Sequence, residues 1–422
     1  MAEKLLQNFN EHRKPIIDSL LDIDFYKFTM GQVIFHRYAD VPVKFAFKNR
    51  TRGVRLADFI DEKELRDEFD YARSLHFNKT ELHYLQETNE YGERMFDEPY
   101  LQFLAELHLP PYNLEIVDGN YKLEFPGKWS EVTYWETIAL SIIDELYCRG
   151  LMKNMSRFEK DAVYSTGILR LGEKIKMLKS RQDITFCDFG TRRRFSWAWQ
   201  DYIVKVLNEE LPKQFLGTSN TYLAMKHGLL PMGTSAHEMY MGVSGVMHNS
   251  DDEIRASHNR VLQDWWEDYK WGLSIALTDN YGSDFFFQDF TSEQAQEWKG
   301  IRQDSGDPFK FTDKALAFYK GHGIDPGKKL IVYSDGLDVK TIIALRDAYA
   351  GRIGQTFGWG TNLTNDLGLP NLSLIVKLME SNGYGTVKLS DNLAKALGNP
   401  EDIERFKRIF DYTGTAYKEC KY

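Results

Sequence analysis

From about residue 183 the chain repeats one theme: a short apolar, strand-like run that ends in a cluster of small or polar residues. Ile184–Cys187 runs into Asp188-Phe189-Gly190, Gln214–Leu216 into Gly217-Thr218-Ser219-Asn220, and Leu229–Met232 into Gly233-Thr234-Ser235-Ala236-His237. The theme returns at Leu273–Leu277 before Thr278-Asp279, and at Gly300-Ile301 before Arg302-Gln303-Asp304-Ser305-Gly306-Asp307-Pro308. It closes with Leu330–Tyr333 before Ser334-Asp335-Gly336, and Ile353–Phe357 before Gly358-Trp359-Gly360-Thr361-Asn362. Most of the intervening segments are long enough for a helix, Pro308–Gly321 and Val339–Tyr349 among them. Strand, chemistry, helix, repeated, is the pattern of a parallel α/β barrel or open sheet, where ligands meet the carboxyl ends of the strands. The clusters follow the strands, which favours one barrel of about 230 residues, a common barrel size. A doubly wound sheet is the alternative, since no dinucleotide fingerprint decides between them.

The first third is mixed. Ile16–Tyr38 reads as a loop entering an aromatic-rich helix, and Val43–Phe47 alternates like a strand. Asp58–His108 is charged and helical in period. Leu114–Glu124 reads as a hairpin around Asp118-Gly119-Asn120, and Trp135–Cys148 as a long apolar-faced helix. Leu372–Leu389 forms a second hairpin across Asn382-Gly383, and the tail is expected to return to the first domain. The expected division is an N-terminal/C-terminal α/β domain from residues 1–135 and 370–422, with an α/β barrel at 136–369.

A net charge of −9 argues against a broad nucleic-acid or anionic-membrane face, so any anionic ligand must meet local arginines and backbone N–H groups. Cys148, Cys187 and Cys420 are scattered without a CxxC, which fits a reducing compartment. Met1–Arg13 is polar, and no apolar run is long enough to span a bilayer. The expectation is a cytoplasmic protein without nucleic-acid or membrane partners.

The clusters carry the chemistry. Arg302, Asp304 and Asp307 crowd a turn with Ser305 and Gly306, a mix suited to a ligand with a diol and anionic groups. Gly358-Trp359-Gly360-Thr361 offers N–H groups and a hydroxyl for a phosphate. Asp335 suits ribose or magnesium, or else is an N-cap with a turn glycine. Asp188-Phe189-Gly190-Thr191-Arg192-Arg193-Arg194 sets an aromatic beside three arginines, able to stack a ring and bind phosphate or to form a solvated basic patch. His237 is a competent nucleophile toward phosphorus when neutral, with Glu238 placed to orient it, or else a hydrogen-bonded structural histidine. Asp279, the acidic stretch Asp22–Lys27 and the basic strand end Lys48–Arg52 complete the set. No GxSxG elbow or P-loop is present.

Taken in order, seven of these segments resemble the nicotinate phosphoribosyltransferase family, from near residue 15 to near 390. They are Asp24-Phe25-Tyr26-Lys27, Asp188–Arg192, Gly217–Asn220, Gly233–Glu238, Arg302–Gly306, Ser334-Asp335-Gly336 and Phe357–Thr361. The resemblance implies a type II phosphoribosyltransferase: an irregular α/β barrel beside an α/β domain built from both chain ends. It implies a homodimer with a shared active site. The implied reaction joins nicotinate to 5-phosphoribosyl-1-pyrophosphate with magnesium, giving nicotinate mononucleotide and pyrophosphate in NAD salvage. ATP hydrolysis is coupled through a phosphohistidine.

By the same resemblance, His237 is the phosphorylated residue, Phe189 covers one face of the pyridine, and Tyr26 covers the other from the partner subunit. Arg302 meets the substrate carboxylate, and Asp304 binds the ribose and offsets charge at its anomeric carbon. Asp335, Gly336, Gly358, Gly360 and Thr361 line the ribose and 5-phosphate site. Arg192, with Arg50 from the partner, holds phosphate or pyrophosphate, and Asp279 lies near the magnesium. The nearest rival, nicotinamide phosphoribosyltransferase, carries an aspartate in the turn matching Gly217–Asn220. Here Ser219 and Asn220 are neutral and tolerate an acid. A non-catalytic nucleotide-binding barrel is the reading from another class; an aldolase-type barrel would need a Schiff-base lysine after a strand, and none of the clusters has one.

Overall fold

The computed structural model describes Phe9, residues 15–90 and residues 92–415. Cys420 and most of Met1–Arg13 lie outside the described residues. In chain order the strands are β1 (Pro42–Asn49), β2 (Asn89–Glu90), β3 (Glu93–Arg94), β4 (Asn113–Val117), β5 (Asn120–Lys128), β6 (Phe186–Asp188) and β7 (Phe215–Thr218). They continue with β8 (Leu230–Pro231), β9 (Ile275–Leu277), β10 (Gly300–Gln303), β11 (Leu330–Tyr333), β12 (Gly354–Trp359), β13 (Leu374–Ser381) and β14 (Tyr384–Gly385).

The seven strand-like runs all become strands, paired in parallel in the order β8-β7-β6-β12-β11-β10-β9. They curl into an irregular α/β barrel. No ladder joins the outer strands β8 and β9 among the described residues. β8 is two residues long and ends in Pro231, which has no N–H to donate, so this edge is a poor template for another strand. The expected helices Pro308–Gly321 and Val339–Tyr349 form, begun by Asp307 and Asp338, whose side chains accept first-turn N–H groups.

The other sheet is antiparallel in the order β14-β13-β1-β5-β4. Its hairpin β4–β5 turns at Asp118-Gly119, as the sequence predicts. The C-terminal hairpin turns at Asn382-Gly383, with a return strand of only two residues. β13 pairs with β1 over the length of that strand, so the tail does return to the N-terminal third. Asp58–His108 resolves into three helices, Glu62–Ser74, Lys79–Glu87 and Glu98–Glu106, with the small β2–β3 ribbon between the last two.

The helix Trp135–Met152 packs against β13 and the turn Thr191–Arg193. It is buried on nearly every face, as expected of a helix between two layers. Trp135 stacks on Phe125 with ring centroids 4.9 Å apart and meets Phe69 edge-on at 5.6 Å. Truncating so buried an aromatic costs about 3–5 kcal/mol. The first turn of this helix delivers Glu136 to the mouth of the barrel, and Ser141 Oγ donates to Thr191 O at 3.0 Å.

Candidate active site

The turns after the barrel strands lie side by side because backbone bonds tie them. Phe189 N donates to Trp359 O at 2.9 Å, Ser219 N to Asp188 O at 2.7 Å, and Ser334 N to Gln303 O at 3.0 Å. They open into one cavity, which gathers Phe189, Arg192, Ser219, His237, Arg302 and Asp304. Asp335, Gly336, Gly358, Gly360 and Thr361 line the same space.

Two glycines set its shape by what they lack. A Cβ on Gly358 would stand 2.2 Å from the Phe189 ring, so the bare backbone of β12 makes room for that aromatic. A Cβ on Gly233 would stand 2.7 Å from Tyr26 N, so the loop after β8 comes directly against the start of the helix Tyr26–Tyr38. Phe25 N donates to Ser219 O at 2.6 Å, and Asp24 bridges to Asn220. Tyr26 and Arg50, expected to reach in from a partner subunit, line the cavity of their own chain.

The electrostatics divide the cavity into two ends. At one end His237 Nε2 lies 2.9 Å from Asp279 Oδ1 and 3.6 Å from Asp304 Oδ2. Burial, and then the Lys388 ammonium, push the imidazole down to about 4, against the pull of Asp279. It is therefore neutral near pH 7. Asp279 accepts from Ser305 Oγ at 2.6 Å and Ser390 Oγ at 3.3 Å, with Lys388 Nζ at 3.7 Å. Burial disfavours its charge, but Lys388, His237 and these hydrogen bonds hold it well below the usual carboxylate range. Burial likewise works against Asp304, yet Arg302 and His237 keep it below that range. One ligand atom from each of His237, Asp279 and Asp304 falls within 4.8 Å of the others.

At the other end, Arg192 Nε meets Asp24 Oδ2 at 2.8 Å, and its guanidinium lies 5.3 Å from the Tyr26 ring centroid. Ser219 Oγ donates to Asp24 Oδ1 at 2.6 Å. The turn that looks neutral in sequence thus backs onto a carboxylate, with which Arg192 pairs and to which Ser219 donates. Between the two ends, Arg302 Nη2 lies 3.7 Å from Asp304 Oδ2 and its Nη1 donates to Ser235 O at 2.9 Å, while its buried Nε has no hydrogen-bond partner among the described residues. A planar cation in a cavity that Tyr26 and Phe189 also line suits an aromatic acid.

A family model described as the nicotinate phosphoribosyltransferase (NAPRTase) family matches residues 184–414, and its N-terminal domain model matches residues 21–144. The chain belongs to the nicotinate phosphoribosyltransferase family. It is 32% identical to a nicotinate phosphoribosyltransferase from Vibrio cholerae, with a TM-score of 0.84 over 95% of each chain. It is 30% identical to one from Porphyromonas gingivalis, with a TM-score of 0.83 over 94% of this chain and 100% of that one. The protein is an enzyme of this phosphoribosyltransferase family, and among its described residues no helix is long and apolar enough to cross a membrane.

Some sequence expectations need revision within this family frame. Asp279 is buried behind His237, which its carboxylate orients, and with His237 and Asp304 it offers one of three ligand atoms within 4.8 Å of one another. Glu238 turns away from His237. It accepts from Trp129 Nε1 at 2.7 Å and Thr133 Oγ1 at 2.6 Å and pairs with Lys27, so it anchors the helix His237–Val246 instead. Of the three adjacent arginines, Arg194 is fully buried in a two-pronged pair with Asp22, at 2.6 and 2.9 Å, and cannot hold phosphate.

Four charged lining residues were missed: Glu136, Lys377, Lys388 and Lys395. Lys395 Nζ reaches Asp335 Oδ1 at 2.5 Å and Asp304 O at 3.0 Å. Lys388 is set by Leu389 N donating to Asn280 O at 2.8 Å, which docks the tail on the end of β9. The available signal was charge. Three acids after strands, Asp279, Asp304 and Asp335, need cations to stay ionised when buried, and the nearby sequence supplied few.

Proposed function

We propose that the protein joins nicotinate to 5-phosphoribosyl-1-pyrophosphate in NAD salvage, releasing nicotinate mononucleotide and pyrophosphate, with ATP hydrolysis coupled through phosphorylation of His237. The observation that carries this reading is a single cavity lined by two aromatics, Tyr26 and Phe189, by Arg192 and Arg302, and by a neutral histidine bonded to a carboxylate.

Nicotinate fits between Tyr26 and Phe189, its carboxylate facing Arg302. Asp304 and Asp335 face the ribose hydroxyls, and Gly336, Gly360 and Thr361 receive the 5-phosphate through N–H groups and a hydroxyl. Cleavage of the anomeric C–O bond leaves positive charge on the sugar and negative charge on pyrophosphate. Asp304 offsets the first; Arg50, Lys388 and Lys395 offset the second, while Arg192, paired with Asp24 over the Tyr26 ring, belongs to the base end. The pyridine nitrogen then attacks the anomeric carbon. Magnesium, when bound, neutralises pyrophosphate charge; Asp304, whose Oδ1 accepts from Ser334 Oγ at 3.1 Å, is the residue that would hold it.

The histidine step follows from its tautomer. Asp279 accepts at Nε2, so the proton sits there and Nδ1 keeps its lone pair. Nδ1 attacks the terminal phosphorus of ATP, ADP leaves, and water later releases phosphate. The phosphorylated ring adds nearly two negative charges beside Lys388 and Lys395, which draws magnesium and the pyrophosphate-bearing substrate into place. Incubation with nicotinate, 5-phosphoribosyl-1-pyrophosphate, magnesium and ATP should yield nicotinate mononucleotide by mass spectrometry; absence of that product contradicts the reading.

A further inference from the structure

We propose that Glu136 is a positioning residue for the pyridine-binding end of the cavity, acting through Tyr26 and Arg192. Glu136 is 1% exposed and sits in the first turn of the helix Trp135–Met152. Its Oε2 accepts from Tyr26 OH at 3.1 Å and meets Lys27 Nζ at 2.8 Å. Its Oε1 accepts from Lys377 Nζ at 2.6 Å and lies 3.8 Å from Arg192 Nη1. One carboxylate therefore gathers groups from the helix Tyr26–Tyr38, the turn after β6 and strand β13.

The consequence is geometric. A tyrosine ring is set by two torsions, and a hydrogen bond at its far end fixes the second. Arg192, over the Tyr26 ring, is held from one side by Asp24 and from the other by Glu136. Burial alone would protonate Glu136, but Lys27, Lys377 and Arg192 hold it well below the usual carboxylate range, so the anchor stays charged at working pH. Replacing it with an amide keeps the shape yet removes the counter-charge of Lys377 and leaves Lys27 with Glu238 alone.

This inference rests on the base pocket proposed above. The test is steady-state kinetics on the parent, E136Q, Y26F and the double variant, with KM measured separately for nicotinate and for 5-phosphoribosyl-1-pyrophosphate. Glu136→Gln should raise the nicotinate KM about tenfold and leave the other within about twofold. Tyr26→Phe should raise the nicotinate KM about threefold with an unchanged Tm. The double variant should fall short of the product of the single effects, because both remove the same contact. Both KM values rising together, or fully multiplicative effects, would overturn the proposal. Should E136Q fail to fold, a Y26F enzyme with the parent's nicotinate KM overturns it alone. A parent enzyme that does not use nicotinate overturns both this inference and the reading beneath it.

Discussion

Asp279 Oδ1 lies 2.9 Å from His237 Nε2, and the other Asp279 oxygen is held by Ser305 Oγ at 2.6 Å. The carboxylate is thus fixed from behind and fixes the imidazole in turn, the arrangement by which a buried acid selects a tautomer. Asp279→Asn presents an amide instead and should slow phosphorylation of the protein by ATP about 100-fold, within the range of a positioned acid–base contribution. His237→Ala should abolish phosphorylation and ATP stimulation together, leaving weak ATP-independent turnover. Labelled ATP reports the first and pyrophosphate release the second; unchanged ATP stimulation in His237→Ala removes the phosphohistidine from the account.

The pH dependence has a definite sign. Because burial and Lys388 push His237 down to about 4, its lone pair persists well below the ordinary histidine range. The histidine-dependent activity should hold through about pH 6.5, where an unperturbed histidine titrates, and fall only on approach to about 4. Lys388→Met removes a neighbouring positive charge and should move the His237 titration upward. Histidine NMR shifts in the two proteins measure this; a downward move contradicts the assigned role of Lys388.

The barrel was legible because its strands and their polar endings alternate in sequence. Pro308–Gly321 and Val339–Tyr349 appear with the expected ends, since Asp-Pro and Asp-Val starts carry their own N-cap. The strand-end residues, from Phe189 to Thr361, were legible for the same reason. Lys388 and Lys395 were not, because no local pattern says that a tail beyond the last barrel strand folds back over the site. Glu136 was hidden inside an apolar helix, where a charge reads as one solvated position. Glu238 misled because adjacency in sequence is not adjacency in space: successive helix residues point about 100° apart.

Gly358 is fixed by the ring it accommodates. A methyl group there would overlap the Phe189 ring at 2.2 Å, so Gly358→Ala must displace the aromatic into the cavity. The nicotinate KM should rise about tenfold or more through the lost stacking surface. Steady-state kinetics at saturating 5-phosphoribosyl-1-pyrophosphate measure it; a parent-like KM would mean that Phe189 does not contact the base.

Ser219 faces the buried carboxylate of Asp24. Ser219→Asp sets two carboxylates together beside the site of an anionic substrate and should raise the nicotinate KM at least about tenfold. Turnover of nicotinate equal to the parent's would remove this turn from the choice between acid and amide.

The most direct test of the central claim is pyrophosphate release from 5-phosphoribosyl-1-pyrophosphate with magnesium and ATP, comparing nicotinate with nicotinamide. The account predicts release with nicotinate, stimulated by ATP, and little with the amide. Release only with nicotinamide would contradict the acid specificity assigned to Arg302 and the Ser219 turn, and release with neither would contradict the proposed reaction itself.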